Sequence, residues 1–148
     1  MAILERINVD MKQAMKAKDK KRLSVIRMLK GALQKEAIDH NGELTEEQEL
    51  QVIARELKQR KDSVQEFQAA GREDLATDTE AEIAIVEEYL PEQLSEADIE
   101  KKVKAVIEQV GATSMKDFGK VMGQAVSAMK GQADGNQIQQ IAKKLLNQ

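Results

Sequence analysis

Apolar residues recur every three to four positions along almost the whole chain, in seven stretches divided by glycine, proline or short polar runs. Ile3, Ile7, Met11 and Met15 fall four apart and predict a first helix over about residues 2–17 with one apolar stripe. Asp19 is placed to cap a second helix, whose stripe is Leu23, Ile26, Leu29, Leu33 and Ala37. Asn41-Gly42 closes it, since both residues tolerate the left-handed conformation of a helix end. Thr45-Glu46-Glu47-Gln48 reads as a capping box, and Leu50, Ile53, Leu57, Val64 and Phe67 carry a third helix to Gly71. A fourth runs from about Leu75 to Leu90, with Ile83, Val86 and Leu90 inward, and stops at Pro91.

Beyond that proline the pattern restarts. Ser95, followed by Glu96 and Asp98, opens a helix containing Ile99, Val103, Val106 and Val110, which ends at Gly111. Ser114 with Asp117 caps a sixth, holding Phe118, Met122 and Met129 and ending at Gly131. Asp134 with Gln137 opens the seventh, with Ile138, Ile141, Leu145 and Leu146. No stretch alternates apolar and polar for long enough to argue a strand. The expected class is all-α: a four-helix N-terminal domain over residues 1–92 and a small three-helix domain over 93–148, with a short linker near 91–94.

Composition narrows the chemistry. There is no cysteine and one histidine, which removes disulfides, thiolate metal sites, thiol nucleophiles and zinc sites built on His or Cys pairs. Phe67, Tyr89 and Phe118 are the only aromatics, too few for a platform that stacks single-stranded bases. The first residues meet charge at Glu5 and Arg6, and no apolar run approaches the ~18–20 residues of a membrane span. A cytoplasmic protein without membrane contact is therefore the expectation. No metal and no cofactor are expected either. Glu46, Glu47 and Glu49, like Glu87-Glu88, suit helix surfaces and a first helical turn better than a shared ligand set, and His40 suits a helix end. Gly119-Lys120 lacks the rest of a phosphate-loop pattern. The turn Lys130-Gly131-Gln132-Ala133-Asp134-Gly135 opens onto a helix N-terminus, although Asp134 can occupy those amides itself.

Two features go further. With 23 basic and 26 acidic side chains the net charge is −3, which excludes a globally basic nucleic-acid binder. That total hides +6 over residues 1–37, −11 over 38–94 and +2 over 95–148. Such faces either pair with each other, lie solvated, or offer a docking surface for an anion such as RNA. The second feature is Gly119, Gly123, Ser127 and Gly131, four apart on the sixth helix. Mid-helix glycine costs about 1 kcal/mol against alanine. Such a line lets something approach the backbone, in the first place a neighbouring helix of the small domain, otherwise a partner.

The stretch Ser114-Met115-Lys116-Asp117-Phe118-Gly119-Lys120-Val121-Met122-Gly123, followed by Lys130 to Gly135, resembles the tail domain shared by the GatB subunit of tRNA-dependent amidotransferases and the YqeY family. Arg22-Leu23-Ser24-Val25-Ile26-Arg27, Arg60-Lys61-Asp62-Ser63, Ala70 to Ala76 and Glu88-Tyr89-Leu90-Pro91-Glu92-Gln93-Leu94 resemble the YqeY family, so the similarity covers essentially the whole chain. In the amidotransferase the tail helps hold the tRNA body, while the chemistry lies in parts absent here. The resemblance thus implies a non-catalytic tRNA-binding or accessory protein, with tRNA and amidotransferase subunits as partners. Its contact face would contain Lys116, Lys120, Gly123, Lys130, Lys143 and Lys144. The alternatives are the label the tail brings with it, a carbon–nitrogen ligase using glutamine as amido-N-donor, and a protein–protein adaptor. No catalytic residue is assigned for the ligase reading, since no Ser/Lys amidase pattern or nucleotide loop is present.

Overall fold

A computed structural model describes residues 2–147. Among them are seven α-helices and one 3₁₀ turn, and no strand. The chain forms two compact units that meet between Pro91 and Glu92. The first holds α1 (Ile3–Ala17), α2 (Lys20–Ile38), α3 (Glu46–Ala69) and α4 (Glu73–Glu87). The second holds α5 (Glu96–Val110), the 3₁₀ turn (Met115–Asp117), α6 (Phe118–Ala128) and α7 (Gly135–Leu146).

Local capping explains most helix starts. Asp19 Oδ1 accepts the Arg22 N–H at 3.1 Å, Ser95 Oγ that of Asp98 at 3.2 Å, and Asp134 Oδ1 that of Asn136 at 3.1 Å. Thr45 and Gln48 close the capping box reciprocally, at 3.1 and 2.9 Å. α1 is different, because Ala2 at its N-cap has no side chain to offer. Glu49 of α3 fills that demand: its carboxylate is buried, and Oε2 accepts the Leu4 N–H at 3.1 Å. A first-turn acid of one helix thereby caps another.

Three expectations need correction. The α1 stripe does not run through Met15, which is 53% exposed, while Ala14 is 2% exposed. Three steps of four residues rotate a helix by about 120°, so a strict four-residue repeat leaves the core by its fourth member. α4 begins at Glu73 and ends at Glu87; Tyr89 and Leu90 are buried beyond it in a turn. Ser114 does not cap α6 but the 3₁₀ turn, and Asp117 Oδ2 accepts the Thr113 N–H at 3.1 Å. α6 itself ends at Ala128, with Met129 fully buried at its C-cap.

Each unit has its own core. Ile7, Val25, Ile26, Leu29, Leu33, Val52, Ile53 and Val86 lie at the centre of the first. Ile99, Val103, Val121, Ala125, Met129, Ile138 and Ala142 form that of the second. The segment after Pro91 is already docked in the second unit, since Leu94 N–H bonds Gln132 O at 2.9 Å and Gln93 Nε2 bonds Gly131 O at 2.7 Å.

Candidate nucleic-acid interface

In α6 the buried positions Val121 and Ala125, with Met129 after them, fix the inward side. At about 100° per residue, Gly119, Gly123 and Ser127 fall on the opposite side, and all three are exposed. A Cβ built on Gly119 or Gly123 would meet nothing within 4 Å. The expected packing of these glycines against a neighbouring helix is therefore absent. Backbone geometry does not demand them either, because the glycines with positive φ are Gly42, Gly71, Gly111 and Gly131. Gly131 thus has a turn-forming role, and its carbonyl accepts the Gln93 amide. Gly119 and Gly123 cost the helix about 1 kcal/mol each while filling no steric need of the fold.

Cations surround this face. Lys116 is exposed in the 3₁₀ turn, held by its N–H on Ser114 Oγ at 3.3 Å, and Lys120 is exposed in the first turn of α6. Neither has an ion pair among the described residues. Lys130 is exposed just past the far end of the helix. Lys143 of α7 has its Nζ 5.7 Å from the ring centroid of Phe118, the first residue of α6, which packs on the core side of that helix rather than on the glycine side. Lys144 lies on the other flank of α7, in a shallow cleft of about 260 Å³ with Glu96, Gln137, Gln140 and Ile141. The six candidates therefore divide: Lys120 and Gly123 lie on α6 with Lys116 in the turn before it and Lys130 just past its end, while Lys143 stands over Phe118 and Lys144 faces α5. The acids closest in sequence are engaged, Asp117 on Thr113 and Asp134 on Asn136. Asp134 also occupies an amide at the α7 N-terminus that an anion would have used.

The first unit handles charge by pairing across helices. Lys21 Nζ meets Asp78 at 3.1 Å, Arg22 Nη1 meets Glu88 at 2.7 Å, and Arg55 meets Glu36 at 3.1 Å. Arg6 lies 5.0 Å from the centroid of the Tyr89 ring and donates to the Glu88 carbonyl at 3.0 Å. Tyr89 donates its hydroxyl to Asp10 at 2.5 Å. Burial, then that hydrogen bond and the Asp10 charge, push the Tyr89 phenol well above its ordinary pKa, so it stays neutral. This cluster joins the Arg22–Arg27 and Glu88–Leu94 motifs and ties the end of α4 to α1 and α2. His40 stands in the corner between α2 and α3, with Nδ1 3.2 Å from Gln48 Nε2 and Nε2 3.6 Å from Glu36. A cavity of about 620 Å³ in this unit is lined by Leu4, Leu33, Ala37, Ile38, Leu44 and Glu49, among others. It holds no histidine or nucleophile, and no group of three potential metal ligands occurs among the described residues.

Comparison with known proteins places this architecture. Residues 4–146 match the family model described as Yqey-like protein. The chain belongs to the YqeY family. Among curated relatives is Altered inheritance of mitochondria protein 41, mitochondrial, of Pyrenophora tritici-repentis, 29% identical over 133 residues, or 88% of this chain and 73% of that protein. The protein of the same name from Saccharomyces cerevisiae is 35% identical over 67% of this chain and 55% of its own length. That from Lachancea thermotolerans is 36% identical over 68% and 56%. The chain thus spans little more than half of these two yeast relatives. Among the described residues of this YqeY-family chain, no helix is long and apolar enough to cross a membrane.

Proposed function

We propose that this YqeY-family protein is a non-catalytic accessory protein whose second unit holds the sugar–phosphate backbone of an RNA, tRNA in the first place, against the outward face of α6. The observation that carries the reading is the pair Gly119 and Gly123, open to solvent with nothing within 4 Å of a missing Cβ, beside the unpaired Lys116 and Lys120. Removing side chains from a helix face lets a rigid polyanion approach the backbone, and lysines hold phosphates as point charges. Recognition then follows backbone shape rather than base sequence, in keeping with the shortage of aromatics. The similarity of residues 114–135 to the GatB tail supports the same assignment and makes amidotransferase subunits reasonable neighbours. We take 93–148 as the tail-like domain and 1–92 as the helical domain that accompanies it. We place the protein in the cytoplasm; in the fungal relatives, named as mitochondrial, the corresponding RNA would be organellar.

The test is tRNA binding by the full-length chain over a series of salt concentrations. Lys116→Glu with Lys120→Glu should weaken binding at least tenfold at low salt and flatten the log–log salt slope by about one unit per lost phosphate contact. Both positions are exposed, so stability should change by no more than about 0.5 kcal/mol. Unchanged affinity would remove RNA from this face.

A further inference from the structure

We infer that the outward face of α2 is a second phosphate-backbone contact, built from Lys20, Ser24, Arg27 and Gly31. It rests on the reading that this protein binds RNA, but on a different unit and different residues. The four positions follow the spacing i, i+4, i+7, i+11 and therefore form one narrow stripe. All four are exposed, and the opposite side of the helix carries the buried Val25, Ile26, Leu29 and Leu33. Residues 20–35 contain six cations, Lys20, Lys21, Arg22, Arg27, Lys30 and Lys35, and no acid. Pairing uses only one side of this set. Lys21 turns to Asp78 of α4 and Arg22 to Glu88 just past its end, whereas Lys20 and Arg27 meet no carboxylate within 4.0 Å among the described residues.

The face is also shaped. Lys20, Leu23, Ser24, Arg27 and Met28 line a depression of about 400 Å³. Ser24 sits mid-helix, and its hydroxyl makes no hydrogen bond among the described residues, so it remains available as a donor beside the two cations. Beneath the rim lies Arg60 of α3, 6% exposed, with Nη2 3.7 Å from Met28 Sδ. Glu56 takes Arg60 Nη1 at 2.9 Å, but Arg60 Nε is buried with no partner among the described residues. Glu56 neutralises this guanidinium, so the positive charge at the depression comes from Lys20 and Arg27 on its rim. Gly31 repeats what Gly119 and Gly123 show: a helical glycine without positive φ, whose Cβ would meet nothing within 4 Å. Two faces thus carry the same pairing of an unneeded glycine with unpaired cations. Met28 is the one large apolar side chain on the rim exposed by about half, at 51%, and no aromatic pocket is present to anchor a protein hot spot. A fork-shaped guanidinium, an ammonium and a hydroxyl around a small open hollow suit a phosphate group.

The experiment measures tRNA affinity of the full-length chain against salt. Lys20→Glu with Arg27→Glu should lower affinity about tenfold or more at low salt and flatten the salt slope by about two. Lys58→Glu with Lys61→Glu, exposed positions on α3, makes the same change in net charge and should lower affinity far less. Circular dichroism of each variant confirms that the fold is kept. If the α6 reversals weaken binding while the α2 pair does no more than the α3 pair, this inference falls and the α6 reading stands. If the α2 pair weakens binding and the α6 pair does not, the α2 site stands and the α6 reading falls. Displacement of bound tRNA by polyglutamate at equal charge concentration would assign the face to an acidic protein and overturn the inference.

Discussion

In the first unit Lys21 and Arg22 reach across to acids of α4 and its C-cap, whereas in the second Lys116 and Lys120 meet no carboxylate within 4.0 Å among the described residues. Both units are helical bundles with an apolar core, so the contrast does not come from fold class. It comes from where the acids lie. α3 and α4 belong to the strongly acidic stretch and pack against α2, which neutralises one flank of that helix and leaves the other exposed. The second unit has seven acids against eight cations, and Asp117 and Asp134 are engaged by backbone amides near α6. A cation is left over where packing supplies no acid. On α2 and α6 such leftovers stand beside glycines for which the fold has no use, whereas Lys58 and Lys61 of α3 are exposed without one.

The contrast breaks most severely if the two units do not hold together separately. Ile138 is 1% exposed in the smaller core, and Ile138→Ala should cost about 2–5 kcal/mol. That should melt the second unit early while amide protection in α2 and α3 persists, as read by hydrogen exchange. Equal loss of protection in both units would show one cooperative body and remove the basis for comparing them.

A smaller effect sharpens the account of the first unit. Tyr89→Phe removes the hydrogen bond to Asp10 and should cost about 1–2 kcal/mol, since a partly exposed carboxylate can regain water. The sign of its pH dependence follows from the raised phenol pKa. The unfolded chain ionises this tyrosine near 10.0, and the folded chain resists ionisation. The Tyr89 contribution is therefore complete below pH 10 and is lost as pH rises beyond it. Urea titrations at pH 8 and pH 11 should show a steeper alkaline loss for the wild type than for Tyr89→Phe. Parallel loss in both proteins would mean that the cluster is not what holds α4 to α1.

Signals confined to one turn were readable in the sequence. Asp19, Thr45, Ser95 and Asp134 each cap as their spacing suggested, because donor and acceptor lie within three residues. Signals that depend on another helix were not. Glu49 reads in the sequence as a dipole-favouring acid, and its role as the acceptor for an α1 amide depends on a contact 45 residues away. Spacing brought Met15 into the stripe, and rotation took it out. For the candidate face, the lysines and glycines of α6 were visible, but the openness of Gly119 and Gly123 depends on what packs nearby. Lys144 looked equivalent to Lys143 until α7 placed them on different flanks. The net +6 of residues 1–37 was legible, yet pairing decides which cations remain.

The central claim is that the open glycines of α6 serve a partner rather than the fold, and one double variant tests both halves together. Gly119→Ala with Gly123→Ala adds two methyl groups with nothing within 4 Å to obstruct them, at helical backbone angles that alanine prefers. The account predicts a second unit more stable by about 1–2 kcal/mol, seen as a higher melting temperature, together with weaker tRNA binding at fixed salt. Added stability with undiminished tRNA affinity would contradict it.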